Sequence, residues 1–200
     1  MIKAMPLTLA AAAVLAVPAA MAQASDPAAQ TVEALDNGLL AAMRAGGAAG
    51  QAGRARLLAP VVDRAFDLPL MTRLSVGPLW TTMSPRDQAG LQVAFRALTI
   101  AQYAKNFDGY SGERFVLAGN VETRGTDRLV RTTLSSPGRS PEVLNYRLRE
   151  AGGQWKIIDV YYKNAISQLA TRRADFAGVV NKGGAPALIQ HLNRLAANPK

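Results

Sequence analysis

Cysteine is absent from this 200-residue chain, and histidine occurs once, at His191. Without a thiol there is no disulfide framework, no thiolate metal site and no lipid attachment through a cysteine near the N-terminus. With one imidazole and no thiol, the usual transition-metal ligand sets are missing too. His191 stands one position before Leu192 in a helical pattern, which reads as a surface or half-buried side chain. No Gly-x-Ser-x-Gly elbow accompanies it, so serine–histidine catalysis has no framework. Neither a G-x-x-x-x-G-K-[ST] nor a G-x-G-x-x-G loop occurs, which leaves nucleotide binding unsupported.

Acidic residues are also few: 14 against 23 Lys and Arg, for a formal net charge of +9. The basic residues are dispersed, so nucleic acid is a poor partner. A solvated basic surface, attraction to anionic lipid headgroups and attraction to an acidic partner all fit this balance.

The first residues have the layout of a secretory signal. Lys3 supplies a positive start, Leu7 to Val17 an apolar stretch, and Ala20-Met21-Ala22 a small-x-small cleavage site before Gln23. The apolar run is short for a permanent membrane span. A signal peptide over residues 1–22 leaves residues 23–200 as a single domain, exported to the periplasm, with enough Leu, Val and Ile for a core.

Within that domain helical spacing comes first. Asp26-Pro27 reads as an N-cap and first helical proline, followed by Val32, Leu35, Leu39 and Met43. Gly46-Gly47 and Gly50 are expected to end that helix, and a second covers about 55–66. Pro69 and Pro78 break the next stretch into short turns, and Asp67 is placed to cap one of them. Ser84-Pro85-Arg86-Asp87 opens a helix that runs to about Phe107 with a wide apolar stripe: Val93, Ala97, Ile100, Ala104 and Phe107, flanked by Leu91, Phe95 and Leu98.

Beyond Gly109 and Gly112 the period changes to two. Segments 115–121, 128–134, 142–149 and 154–162 read as four strands joined by short turns, hence an antiparallel meander. Leu144, Tyr146 and Leu148 share one face of the third strand. In the fourth, Trp155 and Ile157 fall on one face, and Ile158, Val160 and Tyr162 on the other. Helix resumes near Ser167, breaks at Lys182-Gly183-Gly184 and restarts near Pro186.

Few residues are equipped for chemistry. Asp159 is the one acid in an apolar strand, either a general base in a desolvated pocket or an acceptor for the neighbouring helix or Arg147. The structural role is the better supported, since no partner acid can be named. Trp80, Trp155, Tyr146 and Tyr162 pack a core or line a cavity. Arg172-Arg173 reads first as a solvated helix face, and otherwise as a phosphate or partner contact.

Phe66-Asp67, Met71, Leu74, Gly77, Trp80, Ser84, Gln88, Phe95 and Tyr103, with Trp155 to Val160, Ser167, Arg172 or Arg173, and Phe176, resemble the MlaC-type periplasmic phospholipid-carrier family, also called toluene-tolerance auxiliary proteins. Ile166 to Ala170 with Arg172-Arg173 looks most like the hopanoid-associated HpnM branch. Ala165 departs from the glycine usual in the family two residues before that serine.

The resemblance implies an α+β fold of the nuclear-transport-factor-like kind: a four-stranded antiparallel meander packed with about six helices and enclosing an apolar cavity. It also implies a soluble lipid carrier, not an enzyme, with a phospholipid or hopanoid as cargo and no other cofactor. Exchange would be with an inner-membrane ABC/MCE-type complex or an outer-membrane counterpart, through transient contact with membrane surfaces. Leu70, Leu74, Trp80, Phe95, Leu98, Leu144, Tyr146, Leu148, Trp155, Val160 and Tyr162 are the expected cavity residues. The competing expectations are an enzyme on the same fold using Asp159 and a tyrosine, and an adaptor whose interior is filled by its own side chains.

Overall fold

The computed structural model describes residues 26–163 and 165–199; the leader expected over 1–22 lies outside them. Four helices and six strands are described: α1 (Pro27–Ala65), α2 (Leu68–Val76), α3 (Pro85–Asn106), β1 (Arg114–Leu117), β2 (Glu122–Arg124), β3 (Asp127–Ser135), β4 (Glu142–Ala151), β5 (Gln154–Tyr162), β6 (Ile166–Ser167) and α4 (Gln168–Ala197). A 3-10 turn, Gly77–Thr82, joins α2 to α3.

The helix starts follow local chemistry. The Asp26 carboxylate accepts from the Ala28 amide at 2.8 Å and Asp67 from the Leu70 amide at 3.0 Å. Ser84 Oγ accepts from the Asp87 amide and donates to its carboxylate. Each satisfies a donor that the first helical turn leaves orphaned.

The count of about six helices is corrected to four. Gly46 and Gly50 adopt positive φ inside α1, and Gly184 does so inside α4, so each expected break is a kink with helix on both sides. Arg54 secures the first kink, donating through Nη1 to the Gly46 carbonyl and through Nε to that of Ala104 on α3, both at 2.9 Å. Pro186 follows the second kink, in the first turn of the resumed helix, where its missing N–H costs little. In α3 the buried stripe is Leu91, Ala94, Phe95, Leu98, Thr99, Ile100 and Ala104, whereas Val93 and Ala97 face solvent.

The four-stranded sheet is likewise corrected to six strands, all antiparallel, in the order β1-β3-β4-β5-β6 with β2 also on β3. The first expected strand, 115–121, is observed only as β1, which pairs with the end of β3, and β2 lies just beyond it and pairs with the beginning of β3. Ile166–Ser167 adds a short edge on β5.

Between β4 and β5 the register shifts at Arg147/Leu148, where Arg147 faces Asp159 but Leu148 faces Ile157. Ile158 is the extra residue of this β-bulge, and a bulge reverses the alternation of faces. Ile157 therefore shares the helix-facing side with Val160 and Tyr162, which strict alternation had separated.

The helices cover that side. Tyr146, Leu148, Ile157 and Val160 pack with Leu35, Leu39, Phe95, Leu98 and Phe176 in one core. The α1–α2 junction docks directly on β5: Phe66 bridges Ile157, whose carbonyl accepts from the Asp67 amide at 2.9 Å. On the opposite side of the sheet Asp127, only 1% exposed, accepts from Arg147 Nε at 2.6 Å and Arg149 Nε at 2.7 Å.

Candidate functional site

The packing is incomplete between the sheet and the helices, where a cavity of about 560 Å³ lies. Its sheet wall is Leu134 of β3, Leu144 and Tyr146 of β4, and Val160 and Tyr162 of β5. Met43 of α1, Met71 of α2, Thr99, Gln102 and Tyr103 of α3, and Gln168, Leu169 and Arg172 of α4 form the other wall, with Phe66 from the α1–α2 junction. The lining residues that reach solvent are Asn106, Asp108, Gly109, Arg139 and Glu142, which marks the mouth. The volume falls within the roughly 300–1,000 Å³ typical of small-molecule pockets.

A row of rings follows the cavity. Phe66 meets Tyr103 edge-on at 5.6 Å, Tyr103 stacks on Phe107 at 5.8 Å, and Phe107 leans on Phe115 at 6.2 Å. Burial raises the pKa of both Tyr103 and Tyr146, so both phenols stay protonated and act as amphipathic wall rather than as bases.

Of the expected cavity residues, the structure brings Leu144, Tyr146, Val160 and Tyr162 together there. Phe95, Leu98 and Leu148 lie in the solid core, and Phe95 meets Phe176 edge-on at 6.4 Å. Trp80 is buried in the 3-10 turn, its carbonyl accepting from Gln88 at 2.9 Å. Trp155 stands at the start of β5 beneath the Arg128 guanidinium, and its carbonyl accepts from Thr31 of α1 at 2.9 Å. Leu70 and Leu74 are half-buried on α2 and do not border the cavity.

Two polar groups stand outside the expected cavity set: Arg172, read first as a solvated helix face, and one that the sequence reading did not single out. Arg172 is not on a solvated face: it lines the cavity, donates to Thr99 Oγ1 at 3.2 Å and Gln102 Oε1 at 2.7 Å, and lies over the Phe95 ring at 4.7 Å. The signal was its phase, three residues after Leu169 and four before Phe176. Desolvation lowers its pKa, but a guanidinium stays charged in proteins. Arg173, its neighbour, is exposed and packs beside Gly77, where φ is 77° and an added Cβ would stand 3.1 Å from Arg173 Nε.

Asp36 is the other. It lies on the inward face of α1, 3% exposed, and neither carboxylate oxygen has a hydrogen-bond partner among the described residues. Burial, reinforced by the charge of Glu33, raises its pKa to about 8, so the acid is neutral at pH 7.

Asp159 has the structural role. Its carboxylate accepts from the Ser167 hydroxyl at 2.6 Å, the Leu169 amide at 3.0 Å and its neighbour Val160's amide at 2.8 Å, and it does not line the cavity. Arg147 turns away from it to Asp127. His191 is half-buried in α4. Among the described residues no group of His, Asp and Glu is arranged to hold a metal ion, and no helix is long and apolar enough to cross a membrane. A second depression, between the start of α3 and the end of α4, is an open groove that takes no residue from the sheet.

The family described as MlaC protein matches residues 33–194. Among solved structures, the chain is similar to a phospholipid-binding protein from Ralstonia solanacearum in complex with a phospholipid. The TM-score is 0.72 with 26% identity, over 86% of this chain and 98% of that one. No curated protein matches the chain.

Proposed function

The chain belongs to the MlaC family, and from that premise we propose that it is a soluble periplasmic phospholipid-binding protein that shelters lipid tails between its sheet and its helices. The observation that carries this reading is the cavity bounded by Leu144, Tyr146, Val160 and Tyr162 on one side and by Met43, Met71 and Leu169 on the other. The likeness to a phospholipid-bound protein along nearly its whole length supports it.

The physical requirement is plain. Each buried CH₂ contributes roughly 0.8 kcal/mol, so two acyl chains resist leaving a bilayer by on the order of 20 kcal/mol. A carrier removes that barrier with an apolar container and an opening, and needs no acid–base pair. Such a role is non-enzymatic, and it uses the residues present: an aromatic and aliphatic sheet wall facing a helix wall of mixed character, and an Asp159 already engaged by the start of α4.

In this reading residues 1–22 are a cleaved export signal, and lipid is exchanged with an ABC/MCE-type complex or an outer-membrane counterpart. The Ile166 to Ala170 segment, through its likeness to the hopanoid-associated branch, extends the cargo to a triterpenoid. The test is loading: delipidated protein is incubated with phospholipid vesicles, separated from them and extracted. Lipid bound in a fixed ratio to protein is expected. Protein that emerges empty refutes the proposal.

A further inference from the structure

The mouth and the interior of the cavity differ in charge. Asp108, Glu113 and Glu142 stand at or beside the mouth with Arg139, so carboxylates outnumber cations there. On the wall formed by α3 and α4 the only charged lining residue is Arg172, and its hydrogen-bond acceptors are both neutral, Thr99 and Gln102. Two of its five N–H donors are thereby used. The rest have no acceptor among the described residues, and no carboxylate lies within ion-pair distance, whereas Arg96, Arg124, Arg128, Arg131, Arg147 and Arg149 each have one.

Arg172 is half-buried, and the Asp159 carboxylate acts on it only from beyond ion-pair distance, so a closer counter-charge would offset more of the cost of its desolvation. The Phe95 ring offsets part of that cost from one side. Thr99 and Gln102 brace the same group, and each retains a donor of its own, a hydroxyl or an amide N–H₂. Fork-shaped guanidinium donors match the paired oxygens of a phosphate or a carboxylate.

We propose that Arg172, with Thr99 and Gln102, is an anion-recognising subsite within the cavity, which selects lipids whose acidic group, phosphate or carboxylate, can sit at the α3–α4 wall. The inference rests on the carrier reading and narrows it: acidic lipids are preferred over neutral ones of equal hydrocarbon content, a neutral triterpenoid among them. Acidic groups left at the mouth would instead face Asp108, Glu113 and Glu142.

The test compares cargoes matched in hydrocarbon. Delipidated protein is loaded from phosphatidylcholine vesicles carrying equal amounts of phosphatidic acid and diacylglycerol in one arm, and of oleic acid and oleyl alcohol in the other. Mass spectrometry then gives the acid-to-neutral ratio in the bound fraction relative to the vesicle. Wild-type protein should enrich the acid roughly tenfold or more in at least one arm, the gain expected of a hydrogen bond to a charged group.

The arm that responds identifies the source as a headgroup phosphate or a fatty-acid carboxylate, and either supports the subsite. Arg172→Gln should bring the ratio to about one while neutral lipid still loads. Arg172→Lys should keep part of the preference, and the exposed control Arg56→Gln all of it. A wild-type ratio near one in both arms overturns the proposal without reference to any variant, as does an Arg172→Gln protein with the wild-type ratio. Protein that emerges with no lipid at all, phosphatidylcholine included, contradicts the carrier reading itself, whereas protein that carries phosphatidylcholine but enriches neither acid overturns the subsite alone.

Discussion

The Ser167 hydroxyl donates to the Asp159 carboxylate at 2.6 Å, which ties the residue that caps α4 to the middle of the sheet. Asp159 also accepts from the Leu169 amide, so one buried carboxylate positions the helix that carries Leu169 and Arg172 to the cavity. Removing it leaves a hydroxyl and backbone amides without partners. Asp159→Ala should cost about 2–4 kcal/mol in urea unfolding, from the penalty on buried unpaired donors. At temperatures where the variant is folded, the lipid bound per protein should stay near the wild-type level. A folded variant that is fully stable, or one that loads nothing, would contradict this role.

Asp36 weakens the protein as pH rises from acid to neutral. Its folded pKa is about 8 against 3.8 for the free acid. The unfolded chain therefore loses this proton from about pH 4 upward, while the folded chain keeps it until near pH 8. Stability falls across that window, by up to about 1.4 kcal/mol per pH unit, and levels off above it. Asp36→Asn removes the dependence. The variant should gain on the wild type steadily between pH 4 and pH 8 in thermal melts, and parallel curves across that range would contradict the assignment.

Asp127 acts in the opposite sense. Hydrogen bonds from Arg149, then Arg147, hold its carboxyl below the usual value. Its contribution is complete above about pH 4 and is lost as pH falls through the depressed pKa. Both arginine side chains are 41% exposed, which reduces the pair's worth. Asp127→Asn should cost about 1–3 kcal/mol at pH 7, the worth of hydrogen bonds to a charged group discounted for solvent at the arginines. The gap to wild type should close below pH 4, measured by urea unfolding at each pH.

Much of the fold was legible in the residues. The caps at Asp26 and Ser84, each followed by proline, the strand turns and the part of the α3 stripe at Leu91, Phe95, Leu98, Ile100 and Ala104 follow from side-chain chemistry that acts over a few positions. Val93 and Ala97, expected in that stripe, face solvent. What was hidden depends on partners distant in sequence. Ile158 is as apolar as its neighbours, so nothing local reveals that it is the bulged residue, yet the bulge decides which of Ile157 and Val160 face the helices. Glycines at 46, 50 and 184 announce a change of direction, but whether helix continues beyond them is decided by packing, as where Arg54 spans α1 and α3.

The cavity was half legible. Alternation placed Leu144, Tyr146, Val160 and Tyr162 on the face that borders the cavity, but apolar character alone cannot separate a wall from a filled core. That is why Phe95, Leu98 and Leu148 were grouped with them. Arg172 and Asp36 were readable by phase: each lies three or four residues from apolar neighbours on a buried face. Charge suggested solvent, and the helical period was the stronger guide.

Filling the cavity should separate binding from folding. Leu144 borders the void and is half-buried, so Leu144→Trp can place its ring in free space. The cost to stability should stay within about 1–3 kcal/mol, the range for added core volume. Bound lipid after vesicle loading should fall several-fold, whereas Val93→Trp on the exposed face of α3 should leave it unchanged. Equal loading by the two variants would contradict the location of the site.

The most direct measurement is mass spectrometry of the protein isolated without detergent from its native envelope. The account predicts intact protein in which a substantial fraction carries a mass increment that extraction identifies as a membrane lipid, with the increment diminished in Leu144→Trp. A bare polypeptide mass in every preparation, under conditions gentle enough to keep non-covalent complexes, would contradict it.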